Sequence, residues 1–358
     1  MEKTITKQKT AKIPAILSIV LSLTIIILIL YFTIDAKTIH QLSSAHIRYE
    51  FFAAAVALNI LYWILWGARL KVLSNAMDKN VKIGLWKSTK IVIANLFLAC
   101  ITPSMAGGEP VRIHLLNKEG MNLGCATAAV LGERLLDAVF MLVCVPFAFY
   151  IFKDEPGINI IGIGIWVGVI IFIVLLILFA YTILRPERTK SLLVFINKKL
   201  RRFSKKKEKE SKTINRIHRE VDNFHNSMIC FVEDRKKALI KASILTVLFW
   251  STGFMIPSMI LLGLGLPPFF IESYAAQILL LVIIMLPLTP GSAGITELGI
   301  AGLYGILIGT GEGTLIGIFV ILYRFVTYHM NLIAGAFFQY RIFKSVASFS
   351  LDTIKKKK

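Results

Sequence analysis

The sequence predicts an all-α integral membrane protein of about six full spans plus two opposed re-entrant helical hairpins, arranged as an inverted-topology repeat. Three observations carry this. The 358 residues are 56% hydrophobic with a mean hydropathy of +0.71, and only 17% are charged, a composition that belongs to multispanning membrane proteins. Lysines and arginines gather in loops between long apolar runs. The stretch "ITPSMAGGEPVRIHLL", which begins at Ile101, is nearly rewritten 187 residues later in "LTPGSAGITELGIAGLY", which begins at Leu288.

Runs long enough to cross about 30 Å of hydrocarbon occupy 13–34, 51–68, 126–152, 158–184, 244–266 and 314–338. The first follows Lys3, Lys7, Lys9 and Lys12 and superficially resembles a signal peptide. Its 22 uncharged residues exceed the apolar region of such a peptide, about 7–15 residues, so it reads as a retained span. Two runs are too short. Residues 91–101 reach Pro103 after 11 residues, about half a bilayer at ~1.5 Å per residue, and 274–288 end in the second Thr-Pro.

Orientation follows from the retention of basic residues on the cytoplasmic side. Four Lys or Arg precede the first span, five lie in 69–87, eighteen in 185–241 and six after Phe338, whereas 267–273 and 309–313 carry none. With these loops fixed, both termini are cytoplasmic. Crossings then balance only if 91–116 enters and leaves from the cytoplasm and 274–308 enters and leaves from outside. Thr102, Pro103, Gly107 and Gly108 form one hairpin tip and Thr289, Pro290, Gly291 and Gly294 the other. Pro and Gly survive at that depth only where their bared backbone faces protein or water. The predicted organisation is a membrane half over 1–184, a basic cytoplasmic linker over 185–241, a second membrane half over 242–343 and a basic tail over 344–358. The linker has two stretches of helical apolar spacing (Leu192 to Phe203, Ile214 to Phe231) around "RRFSKKKEKESK". It reads as a pair of amphipathic helices held on the inner leaflet by anionic lipid.

Charges inside apolar segments are expensive and mark function or pairing. Glu109, Glu133, Arg134 and Asp137 fall in the first half, Glu297 and Arg324 in the second. Their spacing repeats, since Glu109 precedes Arg134 by 25 residues and Glu297 precedes Arg324 by 27. Two readings follow: buried ion pairs that pin helices, or a phosphate site made by two arginines and the N-terminal ends of the outgoing half-helices, with the glutamates as counter-charges or as ligands for a cationic group. Asp137, one turn after Glu133, pairs with Arg134 or a neighbour on either reading. His114, His329 and Lys90 adjoin segment ends, which snorkelling explains.

Other chemistry lacks a signature. Cys100, Cys125, Cys144 and Cys230 form no C-x-x-C and have no histidine at ligand spacing, so neither a disulfide framework nor a metal site is expected. There is no G-x-x-x-x-G-K-[ST], and no cofactor is expected. The net charge of +20 lies in loops between spans and not on a folded basic domain, which argues against nucleic acid.

The strings "PSMAGGEPVRIHLL", "AAVLGERLLDAV", "LPLTPGSAGITELGI" and "ILYRFVTYHMNLIAG", in that order, resemble the flippase-like membrane domain found at the N-terminus of lysylphosphatidylglycerol synthases and in stand-alone membrane proteins. The resemblance covers about 13–343. It implies movement of an aminoacylated phospholipid between leaflets and places Glu109, Arg112, Glu133, Arg134, Glu297 and Arg324 around the lipid path. Only the short stretch 339–358 follows the last span, so lysyl transfer is not expected and the substrate stays open. The expectation is a non-enzymatic, multi-pass plasma-membrane translocator of a phospholipid or a polyprenyl-phosphate-linked headgroup. Its alternatives are a solute or ion transporter of inverted-repeat type, an enzyme modifying a lipid headgroup (Glu109 with His114 as the nearest pair), and a non-transporting partner of a glycosyltransferase or lipid synthase.

Overall fold

A computed structural model describes residues 47–78, 80–102, 107–153, 210–233, 235–284, 289, 291–309 and 315–339, with scattered positions between 170 and 195. All regular structure among them is helical. Four helices are long and apolar enough to cross a membrane: α1 (Tyr49–Met77), α4 (Leu123–Phe152), α6 (Lys236–Gly263) and α9 (Ile316–Gln339). They correspond to four of the six expected spans. The expected spans at 13–34 and 158–184 lie wholly or largely outside the described residues, as do Pro103, Pro290, the stretch 196–209 and the tail beyond Gln339.

Two boundaries shift in an informative direction. Reading only uncharged runs ends the second span at Ala68 and starts the fifth at Ile244. The helices instead continue to Met77 and begin at Lys236. The reason is packing: Trp66, Leu70, Leu73 and Met77 are buried at helical spacing, and one buried arginine within the stripe does not end a helix whose backbone bonds are all internal. Arg69, assigned from sequence to a basic loop, is thus inside α1.

The short pieces are α2 (Leu85–Ile101) with α3 (Gly108–Lys118), and α7 (Phe270–Ile284) with α8 (Ile295–Ile308). Each pair is two helices joined by a break and packed on one another. The order long helix, broken pair, charged long helix therefore occurs twice, as α1, α2/α3, α4 and as α6, α7/α8, α9. The two leading helices α1 and α6 pack along each other.

Local chemistry explains both breaks. The Thr102 hydroxyl donates to the Leu98 carbonyl at 2.7 Å and accepts from the Gly107 N–H at 2.8 Å, which ties the end of α2 to the start of α3. A Cβ on Gly107 would lie 2.7 Å from the Thr102 Oγ1, so the approach requires glycine. At the second break Gly291, Ser292 and Gly294 have φ of 59°, 53° and 88°, left-handed values that glycine accepts without strain. The breaks also meet, for the Gly291 N–H donates to the Thr102 carbonyl at 3.1 Å.

Helix α9 changes register just beyond Arg324. Phe325–His329 is a π-turn, and Asn59 of α1 donates to the Val326 carbonyl at 2.9 Å and to Asn331 at 3.2 Å, satisfying polar groups that lipid would leave bare. Further along, Gly335 lets α9 approach the backbone of α2, where a Cβ would sit 3.0 Å from the Phe97 Cα.

Helix α5 (Glu210–Glu233) is amphipathic as expected, but its apolar face is spent within the protein. Val221, Met228 and Phe231 are buried, and α5 packs on α4, α6 and α1. Any attachment of this segment to the inner leaflet rests on its charged face.

Candidate functional site

Six charged side chains from three helices form a closed ring of alternating sign. Arg69 of α1 bonds Asp137 of α4 at 2.6 Å and Glu133 at 3.3 Å. Glu133 also pairs with Arg112 of α3. Arg112 lies 3.9 Å from Glu109, Glu109 pairs with Arg134 at 2.6 Å, and Arg134 closes the ring on Asp137 at 3.4 Å. Three guanidiniums face three carboxylates, so the cluster is neutral as a whole, the condition under which charge is tolerated in a low-dielectric interior.

Aromatic residues seal it. The Trp66 indole N–H reaches Glu133 at 3.3 Å and that of Trp250 reaches Asp137 at 2.8 Å. The Arg69 guanidinium lies over the Phe249 ring at 4.6 Å and that of Arg112 over Trp66 at 5.1 Å, contacts that offset part of the desolvation cost of a buried cation.

Among the described residues the second half holds one pair of the same kind. Arg324 bonds Glu297 at 3.0 Å and lies over the Tyr328 ring at 4.1 Å. The repeated spacing in the sequence thus corresponds to two ion pairs, Glu109 with Arg134 and Glu297 with Arg324. They differ in exposure: the Arg134 side chain is 40% exposed and Arg324 only 2%.

A cavity of about 450 Å³ lies between the halves. Among the described residues its charged lining is Arg69, Arg134, Arg324 and Asp137, on a wall that includes Tyr62, Trp250 and Phe254. Gln277 also faces it and accepts from the Tyr323 hydroxyl at 2.8 Å. Of the six residues expected around a lipid path, Arg134 and Arg324 line the cavity. Arg112, Glu133 and Glu297 are fully buried behind it, and Glu109 lies behind Arg134.

At each of the two helix starts expected to offer free donors, the first N–H is occupied. The Gly294 N–H is taken by the Glu297 carboxylate at 2.7 Å, and that of Gly107 by Thr102. Of the three guanidiniums that line the cavity, that of Arg134 is the open one. His329, expected at an interface, sits in the π-turn with its Nδ1 3.1 Å from the Arg324 carbonyl. Among the described residues no cluster of three or more His, Cys, Asp or Glu is placed to hold a metal ion.

Sequence reading missed Arg69 because charge was used to end a span. The signal that finds it is the apolar stripe at 66, 70, 73 and 77, which runs through it.

A helical membrane protein built from two helix-break-helix units around an arginine-lined cavity is the class that this fold and site define. The chain belongs to the family of the lysylphosphatidylglycerol synthase TM region, whose model matches residues 16–335. It is similar to a UPF0104 membrane protein of Archaeoglobus fulgidus, at 36% identity over 79% of this chain and 83% of the relative. A second UPF0104 membrane protein, from Pyrococcus horikoshii, is 24% identical over 78% of this chain and 84% of its own length. No solved structure matches the chain.

Proposed function

We propose that the protein is a lipid translocator of the plasma membrane, which passes the phosphate-bearing headgroup of a phospholipid or polyprenyl-phosphate carrier through the cavity while acyl chains stay in the bilayer. The observation that carries this reading is the guanidinium-lined wall: Arg69, Arg134 and Arg324 line the cavity, while Glu133 and Glu297, which pair with two of them, are buried behind it. A phosphate crossing hydrocarbon alone loses its hydration without compensation. Guanidinium forks on an apolar, aromatic wall return those hydrogen bonds where water is scarce. The volume suits a headgroup more than a whole lipid.

In this reading α2/α3 and α7/α8 are re-entrant hairpins dipping from opposite faces, and their meeting at Thr102 and Gly291 forms the floor between two half-paths. In a variant stripped of native cysteines, Asn117→Cys is expected to react with an impermeant thiol reagent only from the cytoplasm and Thr310→Cys only from outside. Labelling of both from the same side rejects opposed hairpins.

The function itself is tested in liposomes carrying fluorescent phosphatidylglycerol. With protein present and no ATP, dithionite is expected to bleach lipid from both leaflets; without protein it bleaches the outer leaflet alone. Protein that leaves the inner leaflet protected, yet drives uptake of a soluble solute on an imposed ion gradient, replaces this reading with that of a solute transporter. No enzymatic step is proposed; a synthase or glycosyltransferase partner would supply or consume the lipid.

A further inference from the structure

We propose that the site takes up one proton on Glu109 for each phosphodiester monoanion that binds Arg134, so that lipid and proton move together; this rests on the translocator reading above. The ring is neutral, with three cations and three anions in contact. Adding a monoanion leaves one excess negative charge beside the buried carboxylates of the ring, Glu133 and Asp137. A proton on one carboxylate restores neutrality, and the geometry selects which.

Arg134 is the ring's accessible cation: its side chain is 40% exposed, against 1% for Arg69 and 0% for Arg112. It also lines the cavity, so an entering phosphate oxygen meets it first. Three carboxylates stand behind. Asp137 keeps Arg69 at 2.6 Å and the Trp250 N–H at 2.8 Å when Arg134 turns away. Glu133 keeps Arg69, Arg112 and Trp66. Glu109 alone depends on Arg134, whose Nη2 and Nε bond its Oε1 at 2.6 and 2.9 Å. Its only other charged contact among the described residues is Arg112 at 3.9 Å, from the same helix.

The other oxygen of Glu109, Oε2, is buried and makes no hydrogen bond among the described residues. It is the atom that a proton would occupy. From α4 the charges facing Glu109 are Arg134, Glu133 and Asp137, and from α1 Arg69 stands one link further along the ring. Helix α2 brings Asn95 beside Gly108; its Lys87 pairs with Glu119 at the far end of α3, and Lys90 is exposed. Binding is then electroneutral: a monoanion and a proton enter, the proton passing to Glu109 from a buffer acid or hydronium ion whose conjugate base stays in solution, and no other bond is made or broken. A proton gradient can thereby drive the lipid.

The test is calorimetric titration of purified full-length protein with dihexanoyl phosphatidylglycerol, in buffers of different ionisation heat and at several pH values. Expected is uptake of about one proton per lipid bound, with affinity falling about tenfold per pH unit wherever that uptake is complete. Glu109→Gln is expected to bind lipid without proton uptake and without that pH dependence. Wild-type binding with no proton uptake overturns the inference and leaves the translocator reading intact. Absence of lipid binding overturns both. Dimethyl phosphate serves as the soluble probe of the same charge: weak binding supports a lipid site, and binding as tight as the lipid's, with the same proton uptake, overturns the lipid assignment.

Discussion

Arg69→Leu is expected to cost the fold about 3–5 kcal/mol, the usual penalty for removing one partner of a buried ion pair. Arg69 is 1% exposed and bridges Glu133 and Asp137, two carboxylates on one face of α4. Without it they face each other across one helical turn with one fewer cation between them. It also bonds Thr246 of α6 at 3.3 Å, so α1, α4 and α6 all lose a common fastening. Thermal melting of the detergent-solubilised protein measures the loss. Adding Asp137→Asn is expected to return part of it, because the excess negative charge falls by one. An Arg69→Leu protein that melts with the wild type shows that the ring does not hold these helices together.

The second large effect separates the two halves. Arg134→Gln is expected to leave a folded protein that has lost lipid exchange by at least about tenfold, since a partly exposed guanidinium can be removed with water relaxing around Glu109. Arg324→Gln is expected to destabilise strongly, because Glu297 is 0% exposed and would be stranded. The double variant Arg324→Gln with Glu297→Gln is expected to recover folding without recovering exchange. Arg134→Lys is not expected to rescue, because the native guanidinium places both Nε and Nη2 on one carboxylate oxygen, a geometry that an ammonium does not reproduce. Scrambling by Arg134→Gln at the wild-type rate removes Arg134 from the lipid path.

These outcomes bear on the two readings that the sequence leaves open, pinning pairs or a phosphate site. The ion pairs are present in both halves, and they differ in how far each opens to the cavity. Glu297 with Arg324 is a buried pair with both members nearly closed to solvent, whereas Glu109 with Arg134 is a pair with one member open to the cavity. The sequence spacing makes the two look equivalent; their burial makes them different.

Membrane character, helical class, the four long helices within the described residues and the two helix breaks were legible in the chain. The physical reason is that lipid imposes one-dimensional rules: a spanning segment must be apolar over a fixed length and must satisfy its own backbone, and Pro and Gly interrupt it wherever they fall. The pairing of Glu109 with Arg134 and of Glu297 with Arg324 was also foreshadowed, because a membrane charge without a partner is too costly to keep. What only the tertiary structure decided is which charges close into a ring and which face the cavity. Arg69 joins Glu133 and Asp137 across more than sixty residues of sequence, Arg112 turns inward, and Glu297 spends the N-terminal donor of its own helix. Apart from that last contact, local to the first turn of its helix, none of this follows from spacing along the chain, because ion pairing depends on distance in space and on the dielectric around it, and both are set when the helices pack.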